Sequence, residues 1–488
     1  MNWKLWAGGL ALALAFIPHG IWVLGVPGLF LLMSYAAESG SLKRVLYRSI
    51  ISSVLVSAIK FIWIPYAAVN LLMCNWFTAI GLLLLYGLVS APQIIGLCVG
   101  AYFVRKYNYR WEIGVALILI ALVLDFAPWK FMYDDFSVNY NDSLPLMHAI
   151  GVGGKAIILS FFTIASAVIF FYLPRKPAVF GISAFWIALY SLGYIQYQKS
   201  ISVNTSLEAA SEVRLNIGFV QPSSKNFIER ILEIPDPVAA GNIILDEYIS
   251  LSEAVIEKNP NIDFMVWPET AYPFSFGDEI VSKVKESLDL KLRAFILKNG
   301  IPLIFGLNSV SNDGRDQNSV YHVEPVAGEL KIQKYHKSNL FPMGENVPIF
   351  GKNPVLAKLF GYLGNSEAGD GPVIFDVALK DGRRVRVGPL ICYEALIPSY
   401  VAKYRKLNPD LLLNLTNDSW FGKFIEPEQH LSYVRPRSIE VGIPLVRVAK
   451  TGITAYIKPT GGISYRTGVY ERIAEVITVP LIDNKLTF

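Results

Sequence analysis

The chain has 488 residues, more than one ordinary globular core holds. Hydrophobic residues make up 53% and charged ones 17%, where a soluble domain carries roughly 25% charge, so a disordered, collagen-like or disulfide-stapled mini-protein is excluded. The net charge of +5 divides into +7 over residues 1–199 and −2 over the rest, which assigns the basic excess to membrane loops and gives no reason to expect a nucleic-acid partner.

Charge density separates two halves. Residues 1–199 hold 19 charged side chains and residues 200–488 hold 64, so the first part reads as membrane-embedded and the second as a water-facing domain. No Asp, Glu, Lys or Arg occurs in the 33 residues from Leu5 to Ala37, where one spanning helix needs about 20. Pro18-His19-Gly20 breaks that run, so two short helices joined by a tight turn are expected. Further spans are expected at about 50–72, 76–104, 112–128, 155–173 and 178–197, with Pro128-Trp129-Lys130 closing the span at 112–128.

Basic clusters at Lys4, Lys43/Arg44/Arg48, Arg105/Lys106/Arg110 and Arg175/Lys176 recur with every second span. Seven spans with a cytoplasmic N-terminus satisfy all four and place residues 198–488 outside the cytoplasm. A cleaved signal peptide over residues 1–17 would break this parity, so an uncleaved first helix is expected. Lys60, inside the third span, reads as a snorkelling or water-facing lysine near a helix bend, or more sharply as a lipid headgroup contact. The expected organisation is a membrane domain over 1–197, a linker over 198–213, a catalytic domain over 214–482 and a tail over 483–488.

In the second half, short β-rich runs (Leu215–Val220, Phe264–Trp267, Pro302–Leu307, Val385–Ile391, Leu411–Leu415, Pro444–Val448) alternate with helical patterns at about 239–258, 278–298 and 428–441. That alternation predicts an α/β layered fold. Three polar points punctuate the apolar strand ends. Glu269 follows an apolar strand and a proline, where α/β folds present active groups, although a helix-capping glutamate would look the same. Lys337 and Glu345 flank a Pro/Gly-rich turn, a pattern that solvated loop charges also produce. Cys392 ends another apolar strand ahead of Tyr393 and Glu394, and a free cysteine is often only a small buried hydrophobe.

Together, Glu, Lys and Cys are the parts of a thiol acyl-transfer site: a carboxylate to take the thiol proton, a cation for the oxyanion and a nucleophile. The five histidines show no metal-ligand spacing.

This arrangement resembles the carbon–nitrogen hydrolase (nitrilase) superfamily. Its Glu-Lys-Cys signature matches Glu269 in Pro-Glu-Thr, Lys337 in Tyr-x-Lys and Cys392 in Cys-Tyr-Glu. Multiple spans ahead of such a domain resemble the apolipoprotein N-acyltransferase family, which completes bacterial lipoprotein maturation. Residues Lys337–Pro348 are similar to that family's Lys-x-x-Leu-x-Pro-x-Gly-Glu-x-Val-Pro. Asn417-Asp-Ser-Trp-Phe-Gly422 and Gln429-His430 are similar to its Asn-Asp-x-Trp-Phe-Gly and Gln-His elements. The chain departs from the pattern in four places. After residue 200 it has no apolar run for the family's usual eighth membrane helix. Phe227 stands nearest to a usual tryptophan, Lys450 stands where Asn is common before Thr-Gly, and Pro436 is expected to interrupt a helix that relatives keep regular.

The resemblance implies a multi-pass α-helical membrane domain plus an α/β nitrilase-like αββα sandwich, with no cofactor and no metal. It implies ping-pong transfer of a phospholipid acyl chain, with phosphatidylethanolamine the expected donor, through a Cys392 thioester to the N-terminal amine of a diacylglyceryl apolipoprotein. Glu269 is the implied base and Lys337 the oxyanion cation, helped by a backbone N–H near Tyr393. Glu345 orients Lys337, Tyr393 and Glu394 shape the pocket, and Phe227, Trp420 and Phe421 contact substrate. A monomer in the bacterial inner membrane, with its catalytic domain on the periplasmic side, is implied as well. Two other readings remain open on the residues alone. One is a membrane-anchored nitrilase-type amidase acting on a small soluble substrate. The other is a transporter with a soluble accessory domain, against which stand the few intramembrane charges and the absence of paired broken spans.

Overall fold

A computed structural model describes residues 3–72, 75–107, 110–126, 135–149, 155–173, 175–211, 213–225, 227–277, 283–311, 314–342, 344–345 and 366–481. Cys74, Pro128-Trp129-Lys130, Met343, the Asn346–Pro348 end of the lysine-containing motif and the tail expected at 483–488 lie outside the described residues. The chain forms two compact units, Met1–Ser200 with Phe424–Pro436, and Ile201–Lys423 with Arg437–Thr487.

The first unit is helical. Its helices are α1 (Trp3–Phe16), α2 (Gly25–Ala37), α3 (Leu42–Lys60), α4 (Ile64–Leu72), α5 (Trp76–Val89), α6 (Ala91–Lys106), α7 (Trp111–Asp125), the short α8 (Leu144–Ala149), α9 (Lys155–Tyr172) and α10 (Arg175–Ala210). The charge-free run does split at Pro18-His19-Gly20. Side chains start two of the helices: Ser41 Oγ accepts from Arg44 N–H, and Asn75 Oδ1 accepts from Thr78 N–H at 2.9 Å.

Among the described residues, only Lys176–Ala210 is long and apolar enough to cross a bilayer as one straight helix. The pairs α3 with α4 and α5 with α6 qualify when each is taken as one span, bent by 65° and 46°. Pro65 and Pro92 follow the two breaks and lack the N–H a continuous helix would use there. The other apolar helices are shorter than a span of about 20 residues. The stretch expected as a linker, 198–213, is helical as far as Ala210.

Lys60 does not snorkel. It is 2% exposed, with Nζ 3.7 Å from the centre of the Phe16 ring and 5.0 Å from that of Phe61, so two aromatic faces receive its charge.

The second unit is an α/β sandwich of two six-stranded sheets. In chain order the strands are β1 (Arg214–Gln221), β2 (Phe264–Tyr272), β3 (Leu303–Val310), β4 (Asp316–Val326), β5 (Glu329–His336), β6 (Phe375–Ala378), β7 (Arg384–Ile391), β8 (Leu411–Thr416), β9 (Leu445–Ala449), β10 (Ala455–Ile457), β11 (Ile463–Arg466) and β12 (Ile473–Pro480). One sheet has the order β12-β1-β2-β3-β4-β5 and the other β6-β7-β8-β9-β10-β11. Both repeat one pairing pattern: an antiparallel edge, two parallel pairs, then two antiparallel pairs. The unit is therefore built from two similar halves.

Apolar residues from the inner faces, such as Phe219, Val266, Val387, Leu413 and Val448, make the core between the sheets. The outer face of the first sheet packs through Trp267, Phe305 and Val220 onto α12 (Pro237–Lys258) and α13 (Lys283–Asn299), with the short α11 (Phe227–Glu233) preceding them. Strands buried on both faces read as continuous apolar runs, which is why β2, β3, β7, β8 and β9 stand out in the sequence. The helix Glu426–Val441 continues through Pro436, so the expected interruption there does not occur.

Candidate active site

The parallel strands deliver their polar groups at their C-terminal ends. Glu269 sits in a bulge of β2: register with β3 is kept to Trp267 and regained at Tyr272, and Thr270 adopts φ +50°. Gly306 on β3 makes the room, since a Cβ there would lie 2.5 Å from Glu269 Cα. Lys337 follows β5 directly, its N–H donating to Asn318 O at 2.8 Å. Cys392 follows β7, opens the 3₁₀ turn Cys392–Leu396 and has φ +49°. A non-glycine residue held there stores strain of about 1–3 kcal/mol, and a sharp strand-to-turn corner presents a nucleophile clear of its strand.

One carboxylate locks that corner to the lysine loop. Glu394 Oε1 accepts from the N–H groups of Ser338 (2.7 Å) and Asn339 (3.0 Å). Its Oε2 accepts from Ile391 N–H (2.9 Å) and the Tyr335 hydroxyl (2.6 Å). Glu394 is fully buried and ties the residue before Cys392 to the residues after Lys337. Tyr393 packs edge-on against Phe341 at 5.4 Å.

Around Lys337 the charges interlock. Its Nζ donates to Glu345 Oε1 at 2.9 Å, lies 2.7 Å from Glu345 Oε2 and is 3.8 Å from Glu269 Oε1. Asn318 Nδ2, from β4, donates to both Glu269 Oε1 and Glu345 Oε1 at 2.7 Å. The other oxygen of Glu269 accepts from Asn417 N–H at 2.7 Å, just beyond β8. Phe341 N–H donates to Glu345 Oε2 at 2.7 Å.

These contacts decide protonation. Burial raises the Glu269 carboxyl, and the Glu345 charge adds to that rise against the pull of Lys337. Burial alone would depress Lys337, but Glu345 and then Glu269 outweigh it and hold the ammonium charged above the ordinary lysine range. Burial pushes the Cys392 thiol well up, and the Glu269 charge pushes it further than Lys337 pulls it back. Glu269 is thus a buried carboxylate with a raised affinity for protons.

A second buried layer holds this set in place. Arg447, wholly buried on β9, places Nη2 2.6 Å from Asp418 Oδ2 and Nη1 3.2 Å from Asn414 Oδ1. Asn414 Nδ2 reaches back to Cys392 O at 3.3 Å, and Asp418 is flanked by Asn417, whose N–H holds Glu269. One guanidinium thus braces the backbone at Cys392 and the segment whose N–H holds Glu269. Gly452 is required beside it, because a Cβ would lie 1.9 Å from Asp418 Oδ2.

The residues expected to contact substrate are spread out. Phe227 lies on α11, packing edge-on against Phe274 at 5.1 Å on the outer-sheet core. Trp420, part-exposed, and Phe421, buried, sit in the turn Ser419–Phe421 next to Asn417. Lys450, just past β9, is fully buried with no hydrogen-bond partner for Nζ among the described residues, and burial lowers its ammonium to about 8. Sequence reasoning missed Asn318, Asn414 and Arg447. Asn414 and Arg447 lie on strands read only as apolar runs, and Asn318 on a strand not predicted at all.

A family model described as carbon–nitrogen hydrolase matches residues 238–479, which contain all three candidate catalytic residues. An apolipoprotein N-acyltransferase of Bdellovibrio bacteriovorus is 28% identical over 510 aligned residues, covering 99% of this chain and 89% of that protein. The chain belongs to the carbon–nitrogen hydrolases, in their apolipoprotein N-acyltransferase branch. Another member of the family, from Geobacter metallireducens, is 27% identical over 498 residues, covering 95% of this chain and 86% of its own. A third, from Rhizobium rhizogenes, is 30% identical over 367 residues, 70% of this chain and 63% of that one. In the first two of these relatives the similarity runs through the helical unit as well as the α/β unit.

Proposed function

We propose that this chain is an apolipoprotein N-acyltransferase that moves an acyl chain from a phospholipid to the N-terminal amine of a diacylglyceryl-cysteine lipoprotein, with Glu269, Lys337 and Cys392 as its catalytic residues. The observation that carries the reading is the buried, mutually braced Glu269–Lys337–Glu345 cluster together with Cys392 held at positive φ. Cys392 Sγ attacks an ester carbonyl of the donor while its proton passes to Glu269. Lys337, fixed by Glu345, and a backbone N–H at Tyr393 stabilise the tetrahedral oxyanion. The C–O bond breaks, the leaving alkoxide takes the proton from Glu269, and lysophospholipid departs from a Cys392 thioester. The acceptor amine then attacks the thioester and yields a proton to Glu269. The amide forms, and the departing thiolate recovers that proton.

On this reading residues 1–197 hold the enzyme in the bacterial inner membrane, 198–213 connect, and 214–482 act on the periplasmic side. Both substrates are lipid-anchored, which is the use an acyltransferase has for apolar helices. Phosphatidylethanolamine is the proposed donor, and a monomer the proposed state. Trp420 and Phe421 help to keep water from the thioester.

Mass spectrometry of the purified protein after incubation with phosphatidylethanolamine tests the reading. A long-chain acyl adduct on the Cys392 peptide is expected. Labelling only by small amides, with none from phospholipid, would replace the transferase with an amidase.

A further inference from the structure

Two adjoining cavities in the helical unit share Trp22 and Tyr190 as walls. The larger, about 470 Å³, is apolar and is lined by Val26, Phe170, Val179, Ile182 and Trp186 from α2, α9 and α10. The smaller, about 320 Å³, is polar and is lined by His19, Asn139, Asp142 and Ser143. Both lie in the volume range of small-molecule sites, roughly 300–1,000 Å³.

The polar cavity holds unmet hydrogen-bonding capacity. Asn139 is 6% exposed, and neither its Nδ2 nor its Oδ1 has a partner among the described residues; Ser143 Oγ is likewise without one. A buried polar group left unpaired costs about 1–3 kcal/mol, so this amide suits a ligand that accepts and donates there. The charges nearby are already matched. Asp142 Oδ2 accepts from His19 N–H at 2.8 Å, Arg435 Nη1 lies 3.5 Å from Asp142 Oδ1, and the His19 ring faces Asp142 (3.8 Å) and Glu428 (3.6 Å). The unmet demand is therefore for a neutral polar group, not a phosphate.

The wall between the compartments is aromatic. Trp22 stacks on Tyr190 at 6.2 Å, and Tyr140 stacks on Trp186 at 5.3 Å. Tryptophan and tyrosine favour places where apolar and wet surroundings meet.

We propose that this pair of cavities is a binding site for a single acylglycerol lipid, with one acyl chain in the apolar groove and its glycerol-ester region hydrogen-bonded to Asn139 and Ser143. The proposal rests on the helical unit being membrane-embedded but not on the acyl-transfer chemistry.

The test uses the full chain carrying Cys392→Ala, which removes covalent acylation, reconstituted in vesicles. One arm carries phosphatidylethanolamine with a photoreactive acyl chain, and the other a diacylglyceryl peptide with the same chain. Crosslinks mapped by mass spectrometry are expected to concentrate on residues 22–27 and 179–191, relative to the exposed face of α7 at Leu119, Ile120 and Val123. Val26→Trp, or Ile182→Trp from the opposite wall, should fill the groove and lower that ratio about tenfold. Asn139→Leu, close in size, should lower it about three- to tenfold, the worth of one lost hydrogen-bonding group. Enrichment in the first arm identifies bulk phospholipid as the occupant, and in the second the diacylglyceryl group of the acceptor. Labelling no greater than on the α7 face in both arms, or equal labelling in the groove-filling variants and Asn139→Leu, would overturn the site.

Discussion

The role proposed for each residue of the cluster is tested by substitution. Cys392→Ala should abolish thioester formation, and Cys392→Ser should come close, because a hydroxyl is far harder to ionise. Glu269→Gln and Lys337→Met should each slow acyl-enzyme formation by about 10²–10⁴. Lys337→Arg should fail too, since a planar fork cannot replace a point charge seated between two carboxylates. Rapid single-turnover acylation in these variants would remove the roles assigned to them. The pH dependence has a definite sign. Burial and the Glu345 charge raise Glu269, so acylation should fall as pH drops through a midpoint above the ordinary carboxylate value. In Glu345→Gln that midpoint should move down; a midpoint unchanged in this variant would show that another group titrates.

Lys450 makes a separate residue-scale prediction about stability. Its folded value of about 8 lies below the ordinary 10.5. Below pH 8 both folded and unfolded chains carry the proton, and the full burial penalty applies. Between pH 8 and 10.5 the unfolded state binds more protons, so stability rises with pH and the penalty fades. Lys450→Met should therefore stabilise the protein at pH 7 by up to about 3 kcal/mol, with the gain shrinking by pH 10. Thermal melts at the two pH values check this. A loss of stability at pH 7 would mean that the amine has a partner in solution. The sequence marked this position only as a departure from its relatives; that the amine lacks a hydrogen-bond partner among the described residues depends on which loops close over it.

At the scale of elements, the strand ends were legible and the devices that aim them were not. Glu269 and Cys392 end apolar runs, and such runs show in any sequence. The β2 bulge does not, because it depends on the close approach to β3 that Gly306 permits. Gly306→Ala should displace Glu269 and lower activity at least as far as removing its hydrogen bond to Asn318. Normal acylation by Gly306→Ala would show that the bulge is not needed to aim the base. The β4–β5 hairpin was missed because its strands alternate polar residues, while its turn signal is brief: Ala327 and Gly328, both at positive φ. That hairpin supplies Asn318 and leads into Lys337. Arg447 was hidden for a related reason, being one charge in an apolar strand. Arg447→Met should destabilise the α/β unit by about 3–5 kcal/mol by stranding the Asp418 charge, whereas a surface pair of the same kind would be worth under about 1 kcal/mol. Denaturant unfolding distinguishes the two.

For the whole molecule, charge density alone separated an apolar first part from a more charged second part, and the compact units are Met1–Ser200 with Phe424–Pro436 and Ile201–Lys423 with Arg437–Thr487. The helical half was less legible, because breaks at Phe61–Trp63 and Ser90 turn apparent long spans into bent pairs. A reporter active only outside the cytoplasm should work when fused after Phe488 and stay silent after Lys106, and the reverse pattern would overturn the proposed topology. The central claim is that one thiol serves two substrates in turn, and burst kinetics test it most directly. With phospholipid alone, the enzyme should release about one equivalent of lysophospholipid, stall as a Cys392 thioester, and resume only when a diacylglyceryl peptide with a free N-terminal amine is added. Continuous lysophospholipid release without an acceptor, or discharge by a peptide whose amine is blocked, would contradict the account.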